Sequence, residues 1–193
     1  MLIGHLPIRT RGTVGGSLSH ADPAAEYPAA ATALEAELVL QNAGGTRVLR
    51  AEEFFVTYLT TALAPDEIVV EVRFPLSLST SGWAFEEFAQ RHGDFALAGV
   101  AAVLDANGEQ CQLARLATAG VGPTPLRLRA VEHMLEQGGL TEQNIEAAAE
   151  RAAELVEPGS DLHASADYRR HLVRVLTRRA LRRAATRSRE KQQ

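Results

Sequence analysis

Cys111 is the only cysteine in this 193-residue chain. A lone cysteine excludes an internal disulfide and any cysteine-based zinc or iron–sulfur centre, and makes a reducing cytoplasm the simplest home. Long apolar runs are missing as well. Stretches such as Ala29–Ala31 and Phe95–Leu104 are too short or too glycine-broken to span a bilayer. The opening Met1-Leu-Ile-Gly-His-Leu-Pro7 has no basic start leading into an apolar core and a small-residue cleavage site, so no secretory signal is read. The chain also lacks internal repeats and low-complexity blocks. It has no lysine after its glycine run to make a Walker A loop, no Gly-x-Gly-x-x-Gly fingerprint and no Gly-x-Ser-x-Gly elbow.

What is present is the balance of a folded globular protein, with 46% hydrophobic and 23% charged residues. The net charge of −4 is unevenly spread. Residues 168–193 hold ten Arg or Lys against one acid, whereas the rest hold ten Arg against twenty-three acids. Such a split implies either an anionic partner for the tail or attraction between tail and body.

Three sections follow from the turn signals. In the first, Gly12, Gly15 and Gly16 punctuate a turn-rich opening, and Pro28 starts a helix to about Ala36. Leu38–Leu40 and Arg47–Leu49 flank Asn-Ala-Gly-Gly and read as a hairpin. In the second, a short helix is predicted around Glu52–Thr61. Ile68-Val-Val-Glu-Val-Arg-Phe74 reads as a half-buried strand with Ile68, Val70, Val72 and Phe74 on one face. Ser77–Gly82 reads as a linker. In the third, strands are predicted at Trp83–Gln90, Ala96–Asp105 and Gln110–Val121, the last two joined by Asn107-Gly108. Helices follow at about Pro125–Glu136, from Thr141 to about Val156, and at about Ala166–Ala185. Strands and then helices predict an α+β fold with an antiparallel sheet.

The strongest candidate for chemistry is Thr13-Val-Gly-Gly-Ser17. Adjacent glycines and hydroxyls offer several N–H and O–H donors to one small anion with no Cβ in the way. A plain tight turn is the alternative. Asp22 and Glu26 suit either sugar-type hydroxyls or the flank of the next helix. His20 beside Asp22 lacks a third partner and reads as a surface residue. His92-Gly-Asp94 reads as a turn in preference to a metal seed. Arg170, Arg174, Arg178 and Arg182 line one stripe of the last helix. That stripe suits nucleic acid, but with few aromatics and an acidic body, docking on its own body or on a partner subunit is the better reading. No nucleophile has a base beside it, so any catalysis would be carried by a cofactor.

The run Ile3-Gly-His-Leu-Pro-Ile-Arg-Thr-Arg-Gly-Thr-Val-Gly-Gly-Ser-Leu-Ser-His-Ala-Asp-Pro-Ala-Ala-Glu26 resembles the FAD-binding medium subunit of the molybdenum hydroxylases, the xanthine dehydrogenase and aerobic carbon monoxide dehydrogenase flavoproteins. Thr61–Ile68, Trp83-Ala-Phe with Arg91–Ala102, and Asp161–Leu172 are similar to further stretches of that family, so the resemblance covers essentially the whole chain. It implies a partial PCMH-type FAD-binding domain over residues 1–80. It implies a carbon monoxide dehydrogenase flavoprotein C-terminal-like domain over 82–187, a three-stranded antiparallel sheet plus helices, and a polar tail over 188–193.

The implied cofactor is FAD, with Thr13, Val14, Gly15, Gly16 and Ser17 around the pyrophosphate. Glu26 is implied on the polyol chain, with Ile3 and Val69 as apolar contacts. The resemblance implies no catalytic residue and no metal ligand in this chain. It implies a hetero-oligomer with a molybdenum-cofactor large subunit and a 2Fe-2S small subunit, while the residues themselves argue for no nucleic acid and no transmembrane segment. Electrons would pass from the iron–sulfur clusters through FAD to NAD, oxygen or a quinone. Family members normally begin about one subdomain earlier, with a second glycine-rich loop. The alternative is therefore a truncated, non-catalytic remnant that docks on partner subunits without FAD. Glu86 stands where some relatives have a lysine near the flavin.

Overall fold

The computed structural model describes residues 3–76 and 80–191, so residues 77–79 of the expected linker lie outside the described residues. Two α+β layers result. The first begins with three short helices, α1 (Leu6–Arg11), α2 (Val14–His20) and α3 (Glu26–Ala33). Pro28 lies inside the first turn of α3, where its missing N–H costs nothing, so the helix starts two residues before the expected point and stops at Ala33. Strands β1 (Glu37–Asn42) and β2 (Gly45–Arg50) form the expected hairpin, and β5 (Ile68–Arg73) pairs with the other edge of β1 in the order β2-β1-β5.

Two expectations in this layer are overturned. The helix predicted over Glu52–Thr61 is only α4 (Ala51–Phe54), followed by a small ribbon of β3 (Phe55–Thr57) and β4 (Thr60–Thr61). Phe54 and Phe55 are both buried and meet edge-on at 5.3 Å, and adjacent positions of one helix do not share a face. In β5, the face of Ile68, Val70 and Phe74 is exposed, and Val69 with Val72 packs on the core. The register slips between Val39 and Leu40: Leu38 pairs with Val72 and Leu40 with Val69, so Val70 is an extra residue that flips the parity.

The second layer is the antiparallel sheet β6-β7-β8-β9, from β6 (Gly82–Phe88), β7 (Ala98–Asn107), β8 (Gln110–Ala119) and β9 (Leu126–Arg127). The three expected strands form. The two-residue β9 adds a fourth, and this delays helix α5 to Arg129–Gly138. Helix α6 (Glu142–Leu155) is capped by Thr141, whose hydroxyl accepts from the Asn144 amide at 3.2 Å. Helix α7 (Ala166–Glu190) is capped likewise by Ser165 and runs five residues past its expected end. Buried Ser188 explains the extension: its Oγ accepts from the Ala106 amide at 3.1 Å and donates to the Thr80 carbonyl at 2.8 Å.

β7 is buried along nine of its ten residues. Such a strand needs cover on both faces. α7 covers one face, and α3 of the first layer covers the other, with Ala33, Ala101 and Ala117 meeting beside Phe85. Alanines on both sides let the helix sit close to the sheet.

The arginine stripe of α7 is matched by glutamates of α6. Arg174 pairs with Glu150 at 3.1 Å, Arg178 with Glu146 at 2.6 Å, and Arg182 with Glu142. Equal four-residue spacing on two antiparallel helices makes a ladder, so the basic helix docks on the chain's own acidic body. Each exposed rung contributes at most about 1 kcal/mol.

Cys111 is buried in β8. Burial first, and then the nearby carboxylates of Glu136 and Asp105, push its thiol up to about 12. The folded chain is expected to resist iodoacetamide at pH 8 and to react only after unfolding. Quantitative alkylation of native protein within minutes would contradict this placement.

Candidate functional site

A cleft of about 960 Å³ opens between the two layers. Its first-layer wall includes Ile3, Ser17, Asp22 and Glu26, and its second-layer wall includes Gly93–Leu97, Gly120–Gly122 and Arg169. Of the residues that the resemblance assigns to FAD, Ile3, Ser17 and Glu26 line this cleft, as do His20, Asp22 and Asp94.

The Thr13–Ser17 stretch is not the loop expected from its glycines. Thr13 is the N-cap of α2, its Oγ accepting from the Gly16 amide at 3.0 Å, and Val14, Gly15, Gly16 and Ser17 form the first turn. A side-chain oxygen that binds a third-position amide is enough to start a helix here despite two glycines. The Gly16 and Ser17 amides are occupied by Thr13, the latter through the Thr13 carbonyl at 3.0 Å. Helix geometry gives the amides of Val14 and Gly15 no acceptor within α2. A Cβ added at Gly15 would meet nothing within 4 Å, so the backbone there faces open space. Val69, by contrast, packs on the first-layer core beside Leu40 and does not border the cleft.

Glu26 is the first residue of α3 and is half-buried. Burial raises its carboxyl pKa, its own backbone amide pulls it back, and Asp22 raises it further. Asp22 accepts from the Ala24 amide at 2.9 Å, which closes the turn into α3. His20 sits exposed at the last turn of α2, on the rim of the cleft.

Glu86 does not face the cleft: it bonds to Arg183 on α7. Strand alternation puts its neighbour Glu87 on the opposite face, toward α3, where it interacts with Glu26. The sequence reading weighed Glu86 and overlooked Glu87. The strand's own period held the missing signal, since the even residue Ala84 belongs to the core beneath α7.

The His92–Asp94 stretch is the expected turn, closed by the Asp94 amide on the Arg91 carbonyl at 3.1 Å. Gly93 has φ +92°, and the His5 ring sits so close that a Cβ would fall 2.4 Å from its Cε1. Only glycine lets the amino-terminal segment lie on this turn. No group of three or more metal-binding side chains gathers among the described residues.

Arg169 fixes the far wall. Buried at 7% exposure, its guanidinium donates to the carbonyls of Leu97 at 2.6 Å and Gly120 at 3.0 Å and to Asp161 Oδ2 at 2.6 Å. It joins the entry of β7, the exit of β8 and the loop before α7. Gly120 in turn donates to the Pro23 carbonyl at 2.8 Å, so the wall is tied to the first layer.

A capped helix start, the carboxylate that opens the next helix and a cleft between two α+β layers make up the candidate site. Comparison with known proteins makes this specific. Residues 83–184 match the family described as the CO dehydrogenase flavoprotein C-terminal domain, and residues 1–77 match the FAD binding domain in molybdopterin dehydrogenase. The chain is 40% identical over 189 residues to the 6-hydroxypseudooxynicotine dehydrogenase complex subunit alpha of Paenarthrobacter nicotinovorans, covering 97% of this chain and 64% of the relative. It is 36% identical over 180 residues to the carbon monoxide dehydrogenase medium chain of Hydrogenophaga pseudoflava, covering 93% and 63%.

Among solved structures, carbon monoxide dehydrogenase from Hydrogenophaga pseudoflava superposes with a TM-score of 0.93 at 37% identity, over 96% of this chain and 65% of that one. Quinoline 2-oxidoreductase from Pseudomonas putida 86 gives 0.91 at 35% identity, over 97% and 65%. The chain belongs to the family of FAD-binding medium subunits of the molybdenum hydroxylases. It spans slightly under two-thirds of the length of these relatives. No helix of the described residues is long and apolar enough to cross a membrane.

Proposed function

We propose that this chain holds FAD in the interdomain cleft and serves as the electron-relaying flavoprotein part of a molybdenum hydroxylase. The observation that carries the reading is that Ser17, in the first turn of α2, and Glu26, the first residue of α3, line one cleft, with the amino-terminal turn of α2 leading up to it. These groups fit the cofactor's parts. Backbone amides and a hydroxyl suit the pyrophosphate, and an acceptor-only carboxylate suits the hydroxyls of the polyol. When bound, FAD supplies the electron-carrying chemistry. The chain's own groups orient it: Thr13 holds the α2 amides in place, Glu26 fixes the polyol, and Arg169 keeps the opposite wall rigid.

On this reading the partners are a molybdenum-cofactor large subunit and a 2Fe-2S small subunit. The acceptor is NAD, oxygen or a quinone, and the compartment is the cytoplasm, in keeping with one unpaired thiol.

The test is a titration of the purified full chain with FAD, followed by flavin fluorescence and by the visible spectrum after desalting. Saturable quenching with retained flavin bands is the expected result. A chain that stays folded but colourless, without quenching at high micromolar FAD, would sink the reading and favour a subunit that docks on partners without cofactor.

A further inference from the structure

Phe85 and Glu87 project from the same face of β6. Phe85 packs beside Ala33, the last residue of α3, whereas Glu87 lies further along the strand and interacts with Glu26, the first residue of α3. The helix thus crosses the sheet so that a carboxyl of each layer faces the boundary and the two interact electrostatically. Gly99 pairs with Glu87 across β6 and β7, and a Cβ on Gly99 would make ordinary contact, at 3.6 Å, with that of Glu87. Glu87 Oε2 is buried and has no hydrogen-bond partner among the described residues. Burying an unpaired carboxyl oxygen near a second carboxylate disfavours its ionised form more than its neutral one.

We infer that Glu87 is a positioning residue that holds a proton of its own near Glu26 across the layer boundary, keeping Glu26 as the acceptor carboxylate of the cleft. The inference rests on the FAD reading for its ligand, but the retained proton does not. Burial first, and then the charge of Glu26, lift Glu87 to about 7. Asp22 adds its negative charge at Glu26. Glu87 keeps its proton in the folded chain to about pH 7, but in the unfolded chain only to about 4.5. Stability from the protonated pair is therefore present at acid pH and lost as pH rises through that window. Above it, a second negative charge stands beside Glu26 and opposes an anionic cofactor.

The experiment compares the full chain with Glu87→Gln in two measurements. Thermal melts without FAD are expected to show the wild type losing ground to the variant between pH 5 and about 7.5, and running parallel above. FAD affinity of the wild type is expected to fall about three- to tenfold between pH 6 and 8, within the limit of about tenfold per pH unit for one proton, and to stay flat in the variant. A constant offset between the melting curves would overturn the retained proton. An unchanged pH dependence of affinity in the variant would overturn the positioning role. Divergent melts with no FAD binding at any pH would keep the retained proton and remove the FAD reading instead. If Glu87→Gln does not fold, Glu26→Gln serves in its place. By removing the neighbouring charge it is expected to move the wild-type loss to lower pH, and an unmoved loss would overturn the inference.

Discussion

Replacing Arg127 with methionine is expected to cost about 3–5 kcal/mol of unfolding free energy, among the largest effects of any single substitution in the chain. Arg127 lies in β9 with a side chain only 3% exposed. Its guanidinium forks onto Glu132 of α5 through Nε and Nη2, the latter at 3.0 Å. Nη1 donates to the Thr32 carbonyl at 3.2 Å and to Glu35 at 3.3 Å, both in the first layer. One side chain thus joins the edge strand, α5 and the end of α3.

Methionine fills similar volume but leaves Glu132, itself 6% exposed, as a buried charge whose remaining partner is the Leu116 amide at 2.7 Å. The loss is dominated by that orphaned charge, so Arg127→Met combined with Glu132→Met is expected to recover most of it. Urea unfolding would measure both. Arg151→Ala, which removes an exposed pair with Glu154, is the control and is expected to change stability by less than about 1 kcal/mol. A loss below about 1 kcal/mol for Arg127→Met would show that this buried guanidinium is not what ties β9, α5 and the end of α3 together.

The fold was legible where local chemistry and tertiary cover agree. Alternation and the Asn107-Gly108 turn give β6 to β8, and the hydroxyls of Thr141 and Ser165 start α6 and α7 where the sequence places them. The failures share a cause: a pattern with two solutions was settled by a contact far along the chain. The apolar parity of β5 looked regular, but one bulge residue turned Val69 inward and left Val70 exposed. Phe54 and Phe55 both had to reach the core, so the helix predicted over Glu52–Thr61 gave way to a turn and a ribbon. Leu126 and Arg127 joined the sheet because β8 offered an open edge and Glu132 a counter-charge, and neither is visible in the local sequence.

The cleft was read in part. Ser17 and Glu26 marked its first-layer wall, but Glu87 and Arg169 matter through partners 61 and 72 positions away, Glu26 and Leu97. Spacing within one segment carries no information about either.

The change from loop to capped helix at Thr13–Ser17 makes the second large prediction unusually clean. Gly15→Ala should weaken FAD binding by about 10- to 150-fold while leaving the chain at least as stable as before. A Cβ at Gly15 meets nothing within 4 Å, so no part of the protein has to move to accept it. Alanine also favours the helix over glycine, by up to about 1 kcal/mol, so the melting temperature should hold or rise slightly.

A phosphate seated on the Val14 and Gly15 amides would lose its close approach to the backbone. A hydrogen bond to a charged group is worth about 1.5–3 kcal/mol, which gives the stated range. Gly16→Ala is a poorer probe, because its Cβ would fall 2.8 Å from Thr13 Oγ and disturb the cap itself. Glu26→Gln provides the contrast: it should weaken FAD without altering affinity for pyrophosphate alone, whereas Gly15→Ala should weaken both. If Gly15→Ala binds FAD as tightly as the wild type, the phosphate does not sit on α2, and the cofactor's anionic end must be held elsewhere in the cleft.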